Sequence, residues 1–246
     1  MKKYALAIAL PLLALLALLA LALWAGWARL APPAFSGDGL WQGRFDINQR
    51  GDFQLTVLHS NGRLIALSPD ARVAYRGSAA FEDGNYRAEM DMFFINGSPF
   101  DKATLTGAVV SPQRIEARFR THGAGDEGGL VLEYDAATYE KNSSLDRLEG
   151  QWILYQGFTI TKFTINGDGT FHGADTNGCG YEGLIEIINP DYNAYRARLF
   201  ASSCDNLDGE YEGMAFLMSS LAENDTLHMQ ISNDDWGLYM PIVRDG

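Results

Sequence analysis

Tyr86-Arg87-Ala88-Glu89-Met90-Asp91-Met92 is the stretch on which the fold turns. Tyr86, Ala88, Met90 and Met92 share one side of an extended chain, with Arg87, Glu89 and Asp91 on the other. That period-two alternation is the pattern of a strand with one dry and one wet face. The stretch has an echo 109 residues on, where Tyr195, Ala197 and Leu199 alternate with Arg196 and Arg198. Working outward, Gly39-Leu40-Trp41 recurs as Gly150-Gln151-Trp152, Tyr75-Arg76-Gly77 as Tyr181-Glu182-Gly183, Gly107 as Gly213, and Gly129-Leu130 as Gly237-Leu238. The matches keep their order, and their offsets run only from 106 to 111. One unit of about 100 residues has been used twice, with small loop insertions between matches.

The alternation predicts strands in the first copy near 39–47, 52–58, 63–68, 72–78, 85–94, 103–109, 113–120 and 129–134. The second copy repeats them near 150–157, 158–165, 169–175, 180–188, 193–200, 211–218, 225–231 and 236–243. Between them lie turn formers such as Asn61-Gly62, Asp83-Gly84, Asn96-Gly97 and Asn189-Pro190-Asp191. Eight sequential strands on short turns pair neighbour to neighbour and close, which removes both edges. The expected fold is all-β, two tandem eight-stranded up-and-down antiparallel barrels over 39–138 and 149–246, with linkers at 30–38 and 139–148.

Ahead of the copies, residues 1–29 read as a membrane anchor or signal. Tyr4 to Ala28 carries no charge, Lys2 and Lys3 precede it, and Arg29 follows. At about 1.5 Å per residue a helix of that length reaches roughly 37 Å, against about 30 Å of hydrocarbon. Secretory apolar regions are shorter, which favours an uncleaved single-pass anchor, although Ala20-Leu21-Ala22 offers a cleavage site. The Lys pair stays cytoplasmic, so the bulk of the chain is expected in the periplasm or outside the cell. Three of the 19 basic residues belong to this segment, so the net charge of −12 becomes −15 for the remainder. Such a surface disfavours nucleic acid, which is held through clustered Lys and Arg. The one dense basic stretch, Arg114 to Arg120, alternates with apolar residues and reads as the solvated face of a strand.

Gly-x-Trp on the opening strand of an eight-stranded barrel resembles the first-strand signature of the lipocalins and wider calycins, here at Gly39, Trp41 and at Gly150, Trp152. In that group an Arg from the last strand packs on the Trp across the closed end. The resemblance assigns this part to Arg244 for Trp152, and the first copy has no Arg between Gly129 and Asp135. The resemblance implies ligand binding, but with about 100 residues for eight strands the interiors are expected to be filled by side chains.

Chemistry is sparse. His59, His122, His172 and His228 lack metal-ligand spacing and are expected on the surface; no nucleophile motif appears. Asn166-Gly167-Asp168-Gly169 reads as a hairpin turn, and the acidic group Asp205, Asp208, Glu210 and Glu212 as a rim loop. No metal and no cofactor is expected. Cys179 and Cys204 form an even pair in an exported region, which reads as a disulfide. If a hairpin turns at Pro190, they lie nearly opposite at its open end. The expected function is a non-catalytic envelope interaction or assembly module with a protein partner. The alternative is a carrier of a small apolar ligand, and a cavity in a barrel mouth is what favours it.

Overall fold

A computed structural model describes residues 35–219 and 225–245; the anchor or signal segment lies outside the described residues. Among the described residues no helix is long and apolar enough to cross a membrane. The first copy forms β1 (Gly39–Ile47), β2 (Arg50–Ser60), β3 (Arg63–Ser68), β4 (Val73–Glu82), β5 (Asn85–Phe94), β6 (Pro99–Ser111), β7 (Arg114–Thr121) and β8 (Glu127–Tyr134). The second forms β9 (Gly150–Gln156), β10 (Thr159–Ile165), β11 (Thr170–Asp175), β12 (Gly180–Ile187), β13 (Tyr195–Ser202), β14 (Gly209–Met218), β15 (Thr226–Ser232) and β16 (Gly237–Arg244). Each strand pairs with the next, β8 closes on β1 and β16 on β9, giving two closed eight-stranded antiparallel barrels in tandem. The strands match the sequence expectation closely, with β2, β4 and β6 running longer.

The repeated residues fall on corresponding strands, and the glycines among them have a steric cause. A Cβ on Gly77 would stand 1.9 Å from the Glu89 carbonyl oxygen, and one on Gly107 2.1 Å from that of Glu116. Their counterparts meet the same obstacle, Gly183 at 2.2 Å from the Arg198 oxygen and Gly213 at 2.0 Å from the Gln230 oxygen. Neighbouring strands approach so tightly at these bends that a side chain has no room.

Alternation fails at Leu64-Ile65-Ala66-Leu67, where all four residues are buried. Leu64 and Ala66 face the barrel interior; Ile65 and Leu67 face the other barrel. Leu40, Leu58 and Ile65 cluster with Ala194, Met214 and Phe216, and Leu67, Ala74 and Phe93 with Tyr239. The Gln230 side chain donates to the Tyr75 carbonyl at 2.7 Å, and Arg76 donates to the Asn233 carbonyl at 3.0 Å. Through this seam both barrels belong to one compact unit, from Ser36 onward.

The closure of β16 on β9 is short, confined to Val243↔Ile153 and Arg244↔Trp152. The rest of the β16 edge is covered by the turn between β5 and β6. Gly97 and Gly237 exchange backbone hydrogen bonds, and Asn96 Oδ1 accepts from Tyr239 N at 2.8 Å. Pro241, next in that alternation, has no N–H to satisfy. The expected linker 139–148 is docked rather than free: Tyr139 is buried and stacks on Tyr192 at 4.8 Å, and Ser143 donates to Asn189 and Pro190 carbonyls.

Produced separately, residues 36–138 and 143–246, which keep the Gly37 and Leu148 carbonyls, should each unfold cooperatively about their own cores, and should recombine one to one on mixing, because each half then exposes its side of the seam. Sedimentation of the mixture checks this. If neither half unfolds cooperatively alone, the two barrels form a single folding unit.

Candidate functional site

Each barrel has one end sealed by its opening tryptophan. Trp41 and Trp152 are fully buried, and each indole Nε1 donates to a carbonyl four residues earlier, Gly37 at 3.2 Å and Leu148 at 2.7 Å. In the second barrel the Arg244 guanidinium lies over the Trp152 ring, 4.3 Å from its centroid, and donates to the carbonyls of Glu149 and Arg147. In the first, Tyr134 stands edge-on to Trp41 at 5.3 Å. The signature glycines make room for these closing groups: a Cβ on Gly39 would enter the Tyr134 ring at 2.5 Å. Gly150 has a φ of +131°, and a Cβ there would approach Arg244 Nη1 at 3.1 Å.

His59 belongs to the first seal, contrary to its expected surface position. It is 1% exposed, packs 5.3 Å from Phe81, and its Nε2 is 3.2 Å from the Tyr86 hydroxyl. Burial among these rings holds its pKa down to about 4. His228 is also largely buried, stacked on Phe216 at 5.2 Å with Nδ1 2.6 Å from the Tyr239 hydroxyl. Burial lowers its pKa to about 4. His122 and His172 are exposed, as expected.

The opposite ends differ. In the first barrel that end opens on a cavity of about 150 Å³. Its walls include Phe45, Leu55, Met90, Met92, Phe119 and Leu130, while Phe100 and Asp126 stand at the rim. The expectation of a filled interior therefore fails for this copy. Small Ala66 and Ala103 face inward here and leave the space unfilled. Side-chain hydrogen bonds fix the surrounding loops. Asn48 Nδ2 donates to Asp126 at 2.7 Å, and Asp70 accepts from Gln54 N at 2.9 Å. Asp101 accepts from Ala124, Gly123 and Lys102 N–H groups, which hold its pKa down to about 2. At the rim, Phe100 stacks on Phe94 at 4.4 Å, and both are half exposed.

No family model matches the chain, and no curated protein matches it.

The corresponding end of the second barrel is filled. Cys179 and Cys204 are joined there, their Cα atoms 4.7 Å apart, and both are buried in the core. Gly180 pairs with Ser202 across the hairpin, so the bridge sits just past its open end. A 3-10 turn, Asp205–Leu207, follows; Leu207, Tyr181 and Trp236 pack against the core that contains the bridge, and Tyr211 donates to the Leu207 carbonyl at 2.8 Å. Asp208, from the acidic group, accepts from Cys204 N at 2.6 Å. Among the described residues no three His, Cys, Asp or Glu side chains converge on a common point.

Two outcomes follow for stability. Reduction should weaken the second barrel by about 3.5 kcal/mol, the chain-entropy value for a loop of this length, and leave the first unaffected; denaturant curves with and without reductant measure it. Both buried histidines fold as neutral rings with pKa near 4, against 6.5 unfolded. The unfolded chain therefore binds more protons between those values. Stability is whole above pH 6.5 and falls as pH drops toward 4, by about 1.4 kcal/mol per pH unit for each ring. The double variant His59→Phe, His228→Phe should flatten unfolding midpoints over that window.

Proposed function

We propose that the protein is a non-catalytic binding module, held on the outer side of the inner membrane by residues 4–28, whose first barrel takes up a small apolar group at its mouth. The open, preformed cavity of about 150 Å³ is the observation that carries this reading. A cavity of about that volume is large enough to admit a benzene-sized guest. Sites of this kind are usually apolar and largely formed before the ligand arrives, and the Asn48, Asp70 and Asp101 hydrogen bonds supply that rigidity. The filled second barrel then acts as a brace through the seam. The architecture fits the lipocalin-like mode of binding that Gly-x-Trp implies, with a guest much smaller than a drug-sized ligand.

A second reading, docking of a protein partner, has its own support at the β9–β10 hairpin. Phe158 at the tip is fully exposed, and Tyr155 and Ile160 beside it are substantially so. Beyond Ile153 the outer edge of β9 pairs with no strand of β16. An exposed edge flanked by aromatic residues is a template for strand addition.

Methyl NMR tests the cavity reading. Benzene should shift the Met90 and Met92 methyl signals, which border the cavity, and leave Met229 and Met240 in the second core unchanged. Ala66→Leu, which fills the cavity, should abolish the shifts. Perturbation of all four methionines alike, or of none, rejects the site. For the anchor, the chain should stay with membranes after a carbonate wash.

A further inference from the structure

The duplication supplies an internal control for the cavity. Tyr75 on β4 and Tyr181 on β12 are equivalent in the repeat and both face inward. The Tyr181 hydroxyl donates to Asp175 Oδ2 at 3.2 Å. Tyr75 is only 7% exposed and borders the cavity, and no hydrogen bond from another described residue ties up its hydroxyl, which is open to the cavity space rather than sealed in the core. The nearby Asp70 is turned away, accepting from Gln54 N, the Ser68 hydroxyl and Ala71 N. In a cavity walled mostly by hydrocarbon, with Thr121 and Asp126 as its other polar lining, that hydroxyl is a hook for a guest atom.

Charge narrows the guest further. No Lys or Arg lines the cavity, and its one charged lining group is Asp126. An anionic guest would lose its hydration and face a carboxylate with no cation to receive it. Burial, and then the Asp70 charge, raise the Tyr75 pKa, so the hydroxyl stays a neutral donor. Met90 and Met92 give an adaptable wall against a flat ring, and Phe45 and Phe119 meet edge to face at 5.7 Å beside it.

We propose that the first barrel binds a single neutral aromatic ring carrying one hydrogen-bonding oxygen, a phenol-class group, with the Tyr75 hydroxyl as its polar contact. The proposal rests on the cavity reading above and adds the ligand class to it.

Titration calorimetry of the full chain with phenol, benzene, benzoate and benzylamine tests it. Phenol should bind about three- to tenfold more tightly than benzene, the discrimination of one neutral hydrogen bond, and benzoate should not bind. In Tyr75→Phe the advantage of phenol over benzene should vanish while benzene still binds and still shifts the Met90 and Met92 methyl signals, which shows that the first barrel is intact. Equal binding of benzene and phenol by the unaltered protein overturns the Tyr75 assignment and leaves the cavity reading standing; binding of neither overturns both. Tighter binding of benzylamine than of phenol overturns the assignment in favour of Asp126 as the anchor. N-acetyltyrosinamide separates the two sources of such a ring: binding equal to phenol points to a tyrosyl side chain presented by a polypeptide, and exclusion with phenol still bound points to a free small molecule.

Discussion

Everything in this structure hangs from two indole N–H groups. A closed eight-stranded barrel leaves a hollow at each end, and a tryptophan is large enough to stop one of them. The ring can be buried only if its N–H finds a partner. In both copies that partner is the carbonyl four residues upstream, Gly37 or Leu148, so the chain entering the barrel folds over its own first strand. This fixes where the chain enters β1 and β9. It also leaves only the opposite end of each barrel for anything else.

The two copies use that freedom differently. In the second, the cysteine bridge, Leu207 and Trp236 fill the end. In the first, Ala66 and Ala103 leave a space that larger residues would occupy. At about 24 cal/mol per Å³ a space of this size forgoes at most about 4 kcal/mol of packing. Stable domains keep such a loss where it serves a site. The hydrogen-bonded loops around the opening, held by Asp70 and Asp101, keep it from collapsing.

Strand number, order and most boundaries were legible because the Tyr86–Met92 alternation and its echo report one buried and one wet face directly. The disulfide was legible from two cysteines flanking one hairpin. The buried position of His59 was not, since a lone histidine on an inward strand position looks the same in sequence whether the barrel end is open or sealed. The seam left a trace that alternation alone does not interpret: Leu64-Ile65-Ala66-Leu67 is apolar on both faces, which requires a second surface outside the barrel. The cavity had no signal of its own. It arises from two small side chains on different strands, Ala66 and Ala103, whose meeting depends on the closed geometry.

The cover on the β16 edge bears on how the protein is made. A ribosome delivers the N-terminal barrel first, and domains fold as units as they emerge. The Asn96-Gly97 turn therefore emerges ahead of β16 and is in place when that strand folds. Gly237 and Tyr239 meet their partners in the same molecule at once, before a neighbouring nascent chain can pair with that edge. The order of the two copies along the gene is thus itself a safeguard: reversed, the vulnerable strand would be synthesised about 100 residues ahead of the turn that protects it.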